Sequence, residues 1–210
     1  ENMPIITEIT QQKRKKDRYN IFLDGEYAGS LNTEMMVLGG IKLNAEISTD
    51  DFSKILRKDN DKYAFDLALK AIAAKRRTIF ETRTYLLGKE IEESSVDVAI
   101  KKVLEYGYLN DLEYAKEIVS YYINAEKFGR MNVAYKLKTK GVDEDIINSA
   151  MQAFTPEIES KIAEKHYIKL AKKYQNLSPF ERKGKISRTL TAKGFSFEII
   201  THIISTKEDE

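Results

Sequence analysis

The sequence predicts a mainly α-helical protein in which three tandem three-helix repeats form an elongated, curved array, preceded by a small N-terminal β-hairpin or three-stranded sheet. Strict apolar–polar alternation is confined to the first part of the chain, whereas from about Thr49 onward the apolar residues follow a helical period. After residue 60 one pattern occurs three times at a spacing of ~50 residues. We place the N-terminal extension at residues 1–58 and the repeats at residues 59–109, 110–156 and 157–210.

Composition excludes several classes of protein. The 210 residues are 42% hydrophobic, which is enough to bury a core. No apolar run approaches the ~20 residues that a membrane-spanning helix requires, and no charged-then-apolar leader is visible. The chain has no cysteine, which excludes a disulfide scaffold, thiolate metal ligands and cysteine catalysis. We therefore expect a cytoplasmic protein without membrane contact.

The N-terminal extension carries the signals of a β-sheet. Apolar and polar residues alternate in Ile5–Thr10 and again in Arg18–Leu31. Asp24-Gly25 interrupts the second run and is a strong signal for a hairpin turn, because both residues tolerate a positive φ. We predict three strands, with the basic loop Lys13–Lys16 between the first two and a glycine-broken loop over Gly39–Ser48 before the first helix.

Each repeat is predicted to contain three short helices. The blocks Tyr85–Ile100, Tyr135–Met151 and Arg188–Ile204 share one pattern of apolar and basic positions, and each block follows a further helical segment. Equivalent positions hold a leucine, a lysine and two apolar residues: Leu86, Leu137 and Leu190; Lys89, Lys140 and Lys193; Ile91, Val142 and Phe195; Val96, Ile147 and Ile200. Gly141 and Gly194 are predicted helix stops, and the first repeat has Glu90 at that position.

The stretch GYLND, at residues 107–111, joins the first repeat to the second. Gly107 is predicted to end one helix in the left-handed conformation, and Asn110 is predicted to cap the next. Because each repeat of a tandem array contacts only its neighbours, a joint of defined conformation fixes the curvature of the array.

Basic residues are concentrated on the middle helix of each repeat, although the net charge of the chain is only +2. Cations near a helix C-terminus complement the helix dipole, which accounts for Lys89, Lys140 and Lys193. The dipole does not account for basic residues at the opposite, N-terminal end of the middle helix. For these we predict a binding role: Arg76, Arg77, Lys127, Arg130, Arg182 and Lys183.

Further basic residues lie within the middle helices. Lys185 and Arg188 fall opposite the apolar residues Ile186 and Leu190 on a helical wheel, so they are expected to face water. Arg83 falls on the apolar stripe of its helix, and we predict a structural ion pair for it.

No pattern of catalytic or metal-binding residues is recognisable. The two histidines, His166 and His202, are 36 residues apart and have no partner at metal-ligand spacing, so both are interpreted as surface or packing residues. There is no phosphate-binding glycine-rich loop, nucleophile elbow or zinc motif. Most of the twelve tyrosines lie at core-compatible helical spacing. We predict a protein that is not an enzyme and has no catalytic residues, cofactor or metal site.

Three segments in combination resemble the RecX regulatory proteins of bacteria: GYLNDLEYA at Gly107–Ala115, RRTIFETRTYLLGK at Arg76–Lys89 and FGRMNVAYKLKTKGV at Phe128–Val142. The resemblance covers about residues 60–205, and the N-terminal segment is similar to the extension of longer members from low-GC Gram-positive bacteria. The sequence departs from the usual motif at Thr78, where serine is common, and at Glu90, where glycine is common.

The resemblance implies a monomeric modulator, usually an inhibitor, of the RecA recombinase. Such proteins are curved arrays of three-helix repeats that bind in the helical groove of the RecA–DNA filament and suppress strand exchange, ATP hydrolysis and coprotease activity. Many also bind single- and double-stranded DNA, mainly without sequence specificity. Together with the charge pattern, the resemblance predicts the following contacts to the RecA filament or DNA: Arg76, Arg77, Arg83, Lys89, Lys127, Arg130, Lys136, Lys140, Arg182, Lys183, Lys185, Arg188 and Lys193.

Two other functions fit the helical pattern. A sequence-specific helix-turn-helix regulator is the first, because short three-helix units resemble such DNA-binding modules. It predicts a two-fold dimer and a sequence-specific footprint, and the spread of basic residues over all three repeats weighs against it. The second is a helical adaptor that binds only protein, for which DNA affinity that falls steeply with salt is not expected.

Overall fold

The computed structural model describes residues 3–208, which form three β-strands and ten α-helices. The strands are β1 (Ile6–Gln11), β2 (Arg18–Leu23) and β3 (Glu26–Asn32). The helices are α1 (Thr33–Leu38), α2 (Thr49–Ala74), α3 (Ile79–Leu87), α4 (Glu93–Glu105), α5 (Asp111–Ala125), α6 (Arg130–Thr139), α7 (Glu144–Met151), α8 (Pro156–Lys173), α9 (Pro179–Ala192) and α10 (Phe197–Glu208). The predicted fold class, mainly helical with an N-terminal sheet, is confirmed.

The three strands form one antiparallel sheet in the order β1-β2-β3. Asp24 and Gly25 both adopt a positive φ, at 48° and 85°, and so form the predicted tight turn between β2 and β3. One face of the sheet is apolar, and its buried residues Ile6, Ile21 and Leu31 pack with Met35 and Phe52. The short helix α1, which supplies Met35, was not among the predicted elements.

A buried ion pair joins the sheet to α2. The Arg18 guanidinium lies 2.7 Å from the Asp59 carboxylate, and the second carboxylate oxygen accepts a hydrogen bond from the Asn32 amide at 3.0 Å. A buried charge is tolerated only when it is paired and hydrogen-bonded, as it is here. Helix α2 continues through this position without a break. The boundary predicted between residues 58 and 59 therefore falls inside a helix that packs against both the sheet and the first repeat.

The chain divides into two compact units. Unit 1 comprises the residues up to Lys75 together with Thr82–Tyr108, and unit 2 comprises Arg76–Glu81 together with the residues from Leu109 onward. In unit 1, α2 packs on α4 through small residues of α2 and the apolar face of α4. In unit 2, α5–α7 and α8–α10 share one continuous core.

The repeat alignment is reflected in burial. The three equivalent leucines, Leu86, Leu137 and Leu190, are completely buried. The predicted helix stops at Gly141 and Gly194 have φ values of 71° and 80°. In the described part of the chain, residues 3–208, the helices lack the combination of length and apolar character that crossing a membrane requires.

Candidate functional site

The predicted basic residues lie in both units, and those of unit 1 are Arg83 and Lys89. Arg83 forms ion pairs with Glu93 and Asp97, the first at 2.7 Å, which confirms the structural pair predicted for it. Lys89 is exposed, and its ammonium lies 5.3 Å from the centre of the Tyr85 ring. Arg83 is therefore committed to α4, whereas Lys89 faces solvent.

In unit 2, the end of α6 lies against the residues that begin α3. The Thr78 hydroxyl donates to the Lys140 carbonyl at 2.7 Å, and the Lys140 ammonium lies 2.6 Å from the Glu81 carboxylate. The Ile79 amide, which would otherwise lack a partner at a helix start, donates to the Asp111 carboxylate at 2.9 Å. Lys140 is thus part of a structural joint, which the dipole argument alone did not anticipate.

The end of α9 lies against the start of α6 in an equivalent joint. The Gly129 and Met131 amides donate to the Lys193 and Gly194 carbonyls at 2.9 and 3.1 Å. The Arg130 amide donates to the Glu159 carboxylate at 3.0 Å. Two middle helices therefore meet C-terminus to N-terminus, so that free carbonyls at the end of α9 satisfy free amides at the start of α6.

Each joint contains a buried carboxylate contributed by the first helix of the following repeat. Asp111 of α5 accepts a hydrogen bond from the backbone at the start of α3, and Glu159 of α8 accepts one from the backbone at the start of α6. Burial raises the pKa of Asp111, and the hydrogen bond from Ile79 partly opposes this effect. Burial also raises the pKa of Glu159, opposed by backbone hydrogen bonds and by the charge of Arg130.

The second joint brings three predicted lysines around one aromatic ring. The ammonium groups of Lys127, Lys136 and Lys193 lie 5.4, 4.9 and 6.0 Å from the centre of the Phe128 ring. The Lys136 ammonium also lies 5.7 Å from the Tyr122 ring, which contacts Phe128 edge-on. We call these five residues the Phe128 cluster.

The chemistry of the Phe128 cluster is that of an anion-binding surface. Ammonium groups within ~6 Å of an aromatic ring are attracted to its face, which restricts their positions without neutralising their charge. Among residues 3–208, the three lysines of the cluster form no ion pair with a carboxylate. The cluster therefore presents three uncompensated positive charges, and lysine in this state binds phosphate as a point charge.

The remaining predicted basic residues lie at the starts of the middle helices and along α9. Arg76 is exposed and forms an ion pair with Glu117, while Arg77 is half-buried. On α9, Lys183, Lys185 and Arg188 are exposed and Arg182 is half-buried. The prediction that Lys185 and Arg188 face water is confirmed, since Ile186 and Leu190 occupy the buried side of the same helix.

Sequence reasoning did not identify the residues that build the joints. Asp111 follows the predicted cap Asn110 directly, and Glu159 lies in the first turn of α8, so their sequence context does not distinguish them from any other acid at a helix start. Gly129 allows close approach of two backbones, because a Cβ there would lie 2.3 Å from the Gly194 carbonyl oxygen. A glycine directly before a middle helix was the sequence feature that could have indicated this contact. In the described part of the chain, no group of three or more His, Asp or Glu side chains is arranged to hold a metal ion.

Comparison with family models gives three matches along the chain. Residues 4–48 match the regulatory protein RecX N-terminal domain, residues 110–151 match the second three-helix domain of RecX, and residues 157–204 match the third. The matched segments contain the sheet, the Phe128 cluster and the second joint.

Relatives and solved structures give the same result. The chain is 34% identical to regulatory protein RecX of Bacillus subtilis and of Bacillus velezensis, over 99% of this chain and 79% of each relative. It is 31% identical to regulatory protein RecX of Clostridium beijerinckii, over 96% and 95% of the two chains. A crystal structure of regulatory protein RecX superposes over 99% of this chain and 100% of that one, with a TM-score of 0.72 and 29% identity. The crystal structure of RecX from Lactobacillus salivarius covers 73% of this chain and 99% of that one, with a TM-score of 0.68 and 27% identity. From its fold, its matched domains and these relatives, the chain belongs to the RecX family of regulatory proteins.

Proposed function

We propose that this protein binds the RecA–DNA filament and inhibits the recombinase, ATPase and coprotease activities of RecA. Its membership of the RecX family supports a regulatory role. The observation that carries the proposal is the Phe128 cluster, where Lys127 of a loop, Lys136 of α6 and Lys193 at the C-cap of α9 converge without acidic partners. A regulator that follows a DNA-bearing groove requires positive charge of this kind, because phosphate contacts dominate affinity for nucleic acid.

The proposed contact surface extends from the cluster to the exposed basic residues of α9. Lysines contact phosphates without reading sequence, so DNA binding by these residues is non-specific. Arg83, Arg76 and Lys140 already form ion pairs within their own units, and we assign them a smaller share of the contact. In this proposal the protein acts in the cytoplasm as a monomer and needs no cofactor.

The joints argue against a duplex-reading helix-turn-helix regulator. Such modules insert the N-terminal part of a recognition helix into the major groove of DNA. In α6 the backbone of this part is already engaged, because the Gly129 and Met131 amides donate hydrogen bonds to carbonyls at the end of α9. The start of α3 is likewise in contact with the end of α6, because the Lys140 carbonyl accepts a hydrogen bond from the Thr78 hydroxyl. Both helix starts are therefore committed to contacts within unit 2, which weighs against a free recognition helix in these two repeats.

The decisive assay is the single-stranded-DNA-dependent ATP hydrolysis of RecA, titrated with this protein well below one copy per RecA monomer. We expect inhibition at such ratios, because a regulator that binds filaments acts on many RecA protomers through one contact. No inhibition even at equimolar protein would contradict the proposal.

A charge-matched pair of variants tests the site. The triple variant Lys127→Gln, Lys136→Gln, Lys193→Gln removes the cluster charges, and the control Lys101→Gln, Lys116→Gln, Lys161→Gln removes the same charge from exposed positions elsewhere. We expect the first variant, and not the control, to lose inhibition.

Salt dependence gives a second readout for the same two variants. The slope of log affinity for single-stranded DNA against log salt is expected to fall by about 2 in the cluster variant, at roughly 0.7 per phosphate contact. Equal inhibition and equal salt slopes in the two triple variants would show that the cluster is not the contact.

A further inference from the structure

Unit 1 exposes an aromatic surface that the predicted site does not include. Tyr106 and Tyr108 are 65% and 53% exposed, although most tyrosines of the chain were expected to pack in the core. Their ring centres are 5.9 Å apart, and the Phe65 ring lies 6.0 Å from that of Tyr106. The Lys102 ammonium lies 5.8 Å from the Phe65 ring. We call Phe65, Lys102, Tyr106 and Tyr108 the Tyr106 surface.

The helix end at Gly107 places these two tyrosines side by side. Gly107 has a φ of 70°, and the Tyr108 amide donates to the Val103 carbonyl at 2.8 Å, which is the hydrogen bond of a Schellman motif. Val103 and Leu109, which flank this turn, are buried, whereas the two tyrosine rings between them are exposed. A need for core packing does not explain two exposed rings.

The rings of the Tyr106 surface meet at an angle and not face to face. The interplanar angles are 51° between Tyr106 and Tyr108 and 55° between Phe65 and Tyr106, so the rings are tilted and do not stack on one another. Among the described residues Lys102 forms no ion pair, so its charge remains available beside the aromatic faces. Its neighbour Lys101 lies 3.9 Å from the Glu105 carboxylate, so those two charges oppose each other.

We propose that the Tyr106 surface binds single-stranded nucleic acid, with unpaired bases stacking on Tyr106 and Tyr108 and Lys102 contacting the adjacent phosphate. Exposed aromatic rings interleaved with cations are the recurrent means of binding single strands, and stacking tolerates any base sequence because every base has an aromatic face. A duplex keeps its bases stacked on each other, so it gains little from such a surface. The Phe128 cluster of unit 2, by contrast, offers charge for phosphates and serves single and double strands alike.

The test measures binding of a fluorescently labelled oligothymidylate to the full chain by anisotropy, in the absence of RecA. The double variant Tyr106→Leu, Tyr108→Leu removes both rings and is expected to raise the Kd about 30-fold or more, as the loss of two stacked bases requires. The variant Tyr106→Phe, Tyr108→Phe keeps the rings and is expected to bind within about 3-fold of the native chain. Tyr27→Leu, at a tyrosine of unit 1 that is 61% exposed on the sheet, is the matched control and should leave binding unchanged.

Other results would overturn the proposal. Native affinity in the leucine double variant would show that no base stacks there, and equal losses in the leucine and phenylalanine variants would assign binding to the hydroxyls. Equal losses for duplex and single strand would also contradict stacking. If the leucine variant lost RecA inhibition while keeping oligothymidylate affinity, the surface would contact protein instead. Because oligonucleotide binding is measured without RecA, its failure is distinguishable from failure of the filament proposal, which the ATPase assay reads separately.

Discussion

Replacement of Gly129 by alanine tests whether the second and third repeats are held together by direct backbone contact. A Cβ at residue 129 would lie 2.3 Å from the Gly194 carbonyl oxygen and 2.4 Å from the Phe195 amide nitrogen. Both are backbone atoms that no side-chain rotation can move away. Gly129 itself has φ −77° and ψ 171°, a conformation that alanine adopts freely, so the whole effect of the substitution is steric.

The size of the effect follows from the contacts that must open. Relief of the clash requires the end of α9 to move away from α6, which breaks the hydrogen bonds from the Gly129 and Met131 amides. Each bond contributes about 0.5–1.5 kcal/mol net. Overpacking of a tight contact costs about 1–3 kcal/mol more. We therefore expect Gly129→Ala to lower the free energy of unfolding of unit 2 by about 2–6 kcal/mol.

Urea unfolding followed by far-ultraviolet circular dichroism measures this change. Gly184→Ala is the matched control, because Gly184 lies inside α9 and the nearest atom to an added Cβ is the Arg188 Nη2 at 3.7 Å. Alanine there is expected to stabilise the protein by about 1 kcal/mol through its higher helix propensity. A change in stability of less than about 0.5 kcal/mol for Gly129→Ala, the usual range of neutral surface substitutions, would contradict a close backbone contact at this residue. A shift of the two variants in the same direction would contradict it as well.

Two further predictions concern single residues. Burial lowers the pKa of His166, whose Nε2 donates a hydrogen bond to the Glu126 carbonyl at 2.8 Å. Because the folded chain then binds fewer protons than the unfolded chain, stability is lost as the pH falls through the unfolded pKa near 6.5. Urea unfolding at neutral and mildly acidic pH should show that His166→Gln flattens this loss while the exposed His202→Gln does not; equal slopes in both variants would contradict the assignment. Glu90 adopts a left-handed φ of 59° at the position where the other repeats have glycine. Glu90→Gly is therefore expected to raise the free energy of unfolding by about 0.5–1 kcal/mol, because the relief of left-handed strain exceeds the cost of the extra backbone entropy of glycine. An unchanged or lower urea midpoint would count against that strain.

Local features of this protein were predictable because they depend on neighbouring residues alone. Asp24-Gly25 forms its hairpin turn wherever two β-forming runs flank it, and Gly107 ends α4 in the left-handed conformation. The repeat alignment was equally reliable, because the equivalent leucines recur on the buried faces of helices whose period is encoded locally. The ion pair of Arg83 was predictable as well, since a charge on an apolar stripe requires a partner, and Glu93 and Asp97 follow 10 and 14 residues later.

Features that join distant parts of the chain were not predictable in this way. The short helix α1 and the Arg18–Asp59 pair depend on how the sheet meets α2, which periodicity does not describe. Asp111 and Glu159 had the same sequence context as any acid at a helix start, yet each caps the middle helix of the preceding repeat. A helix start with free amides accepts any carboxylate that packing brings to it, so the partner is chosen by the tertiary fold.

The arrangement of charged residues in the candidate site was likewise predictable only in part. The recurrence of lysines and arginines on the middle helices, and the exposure of Lys185 and Arg188, follow from the sequence alone, because helical spacing sets which side of a helix is apolar. The meeting of Lys193 with Lys127 and Lys136 at the Phe128 ring is a consequence of the tertiary fold. Those residues are brought together by the contact between the end of α9 and the start of α6, and that contact depends on the close approach of two backbones at Gly129.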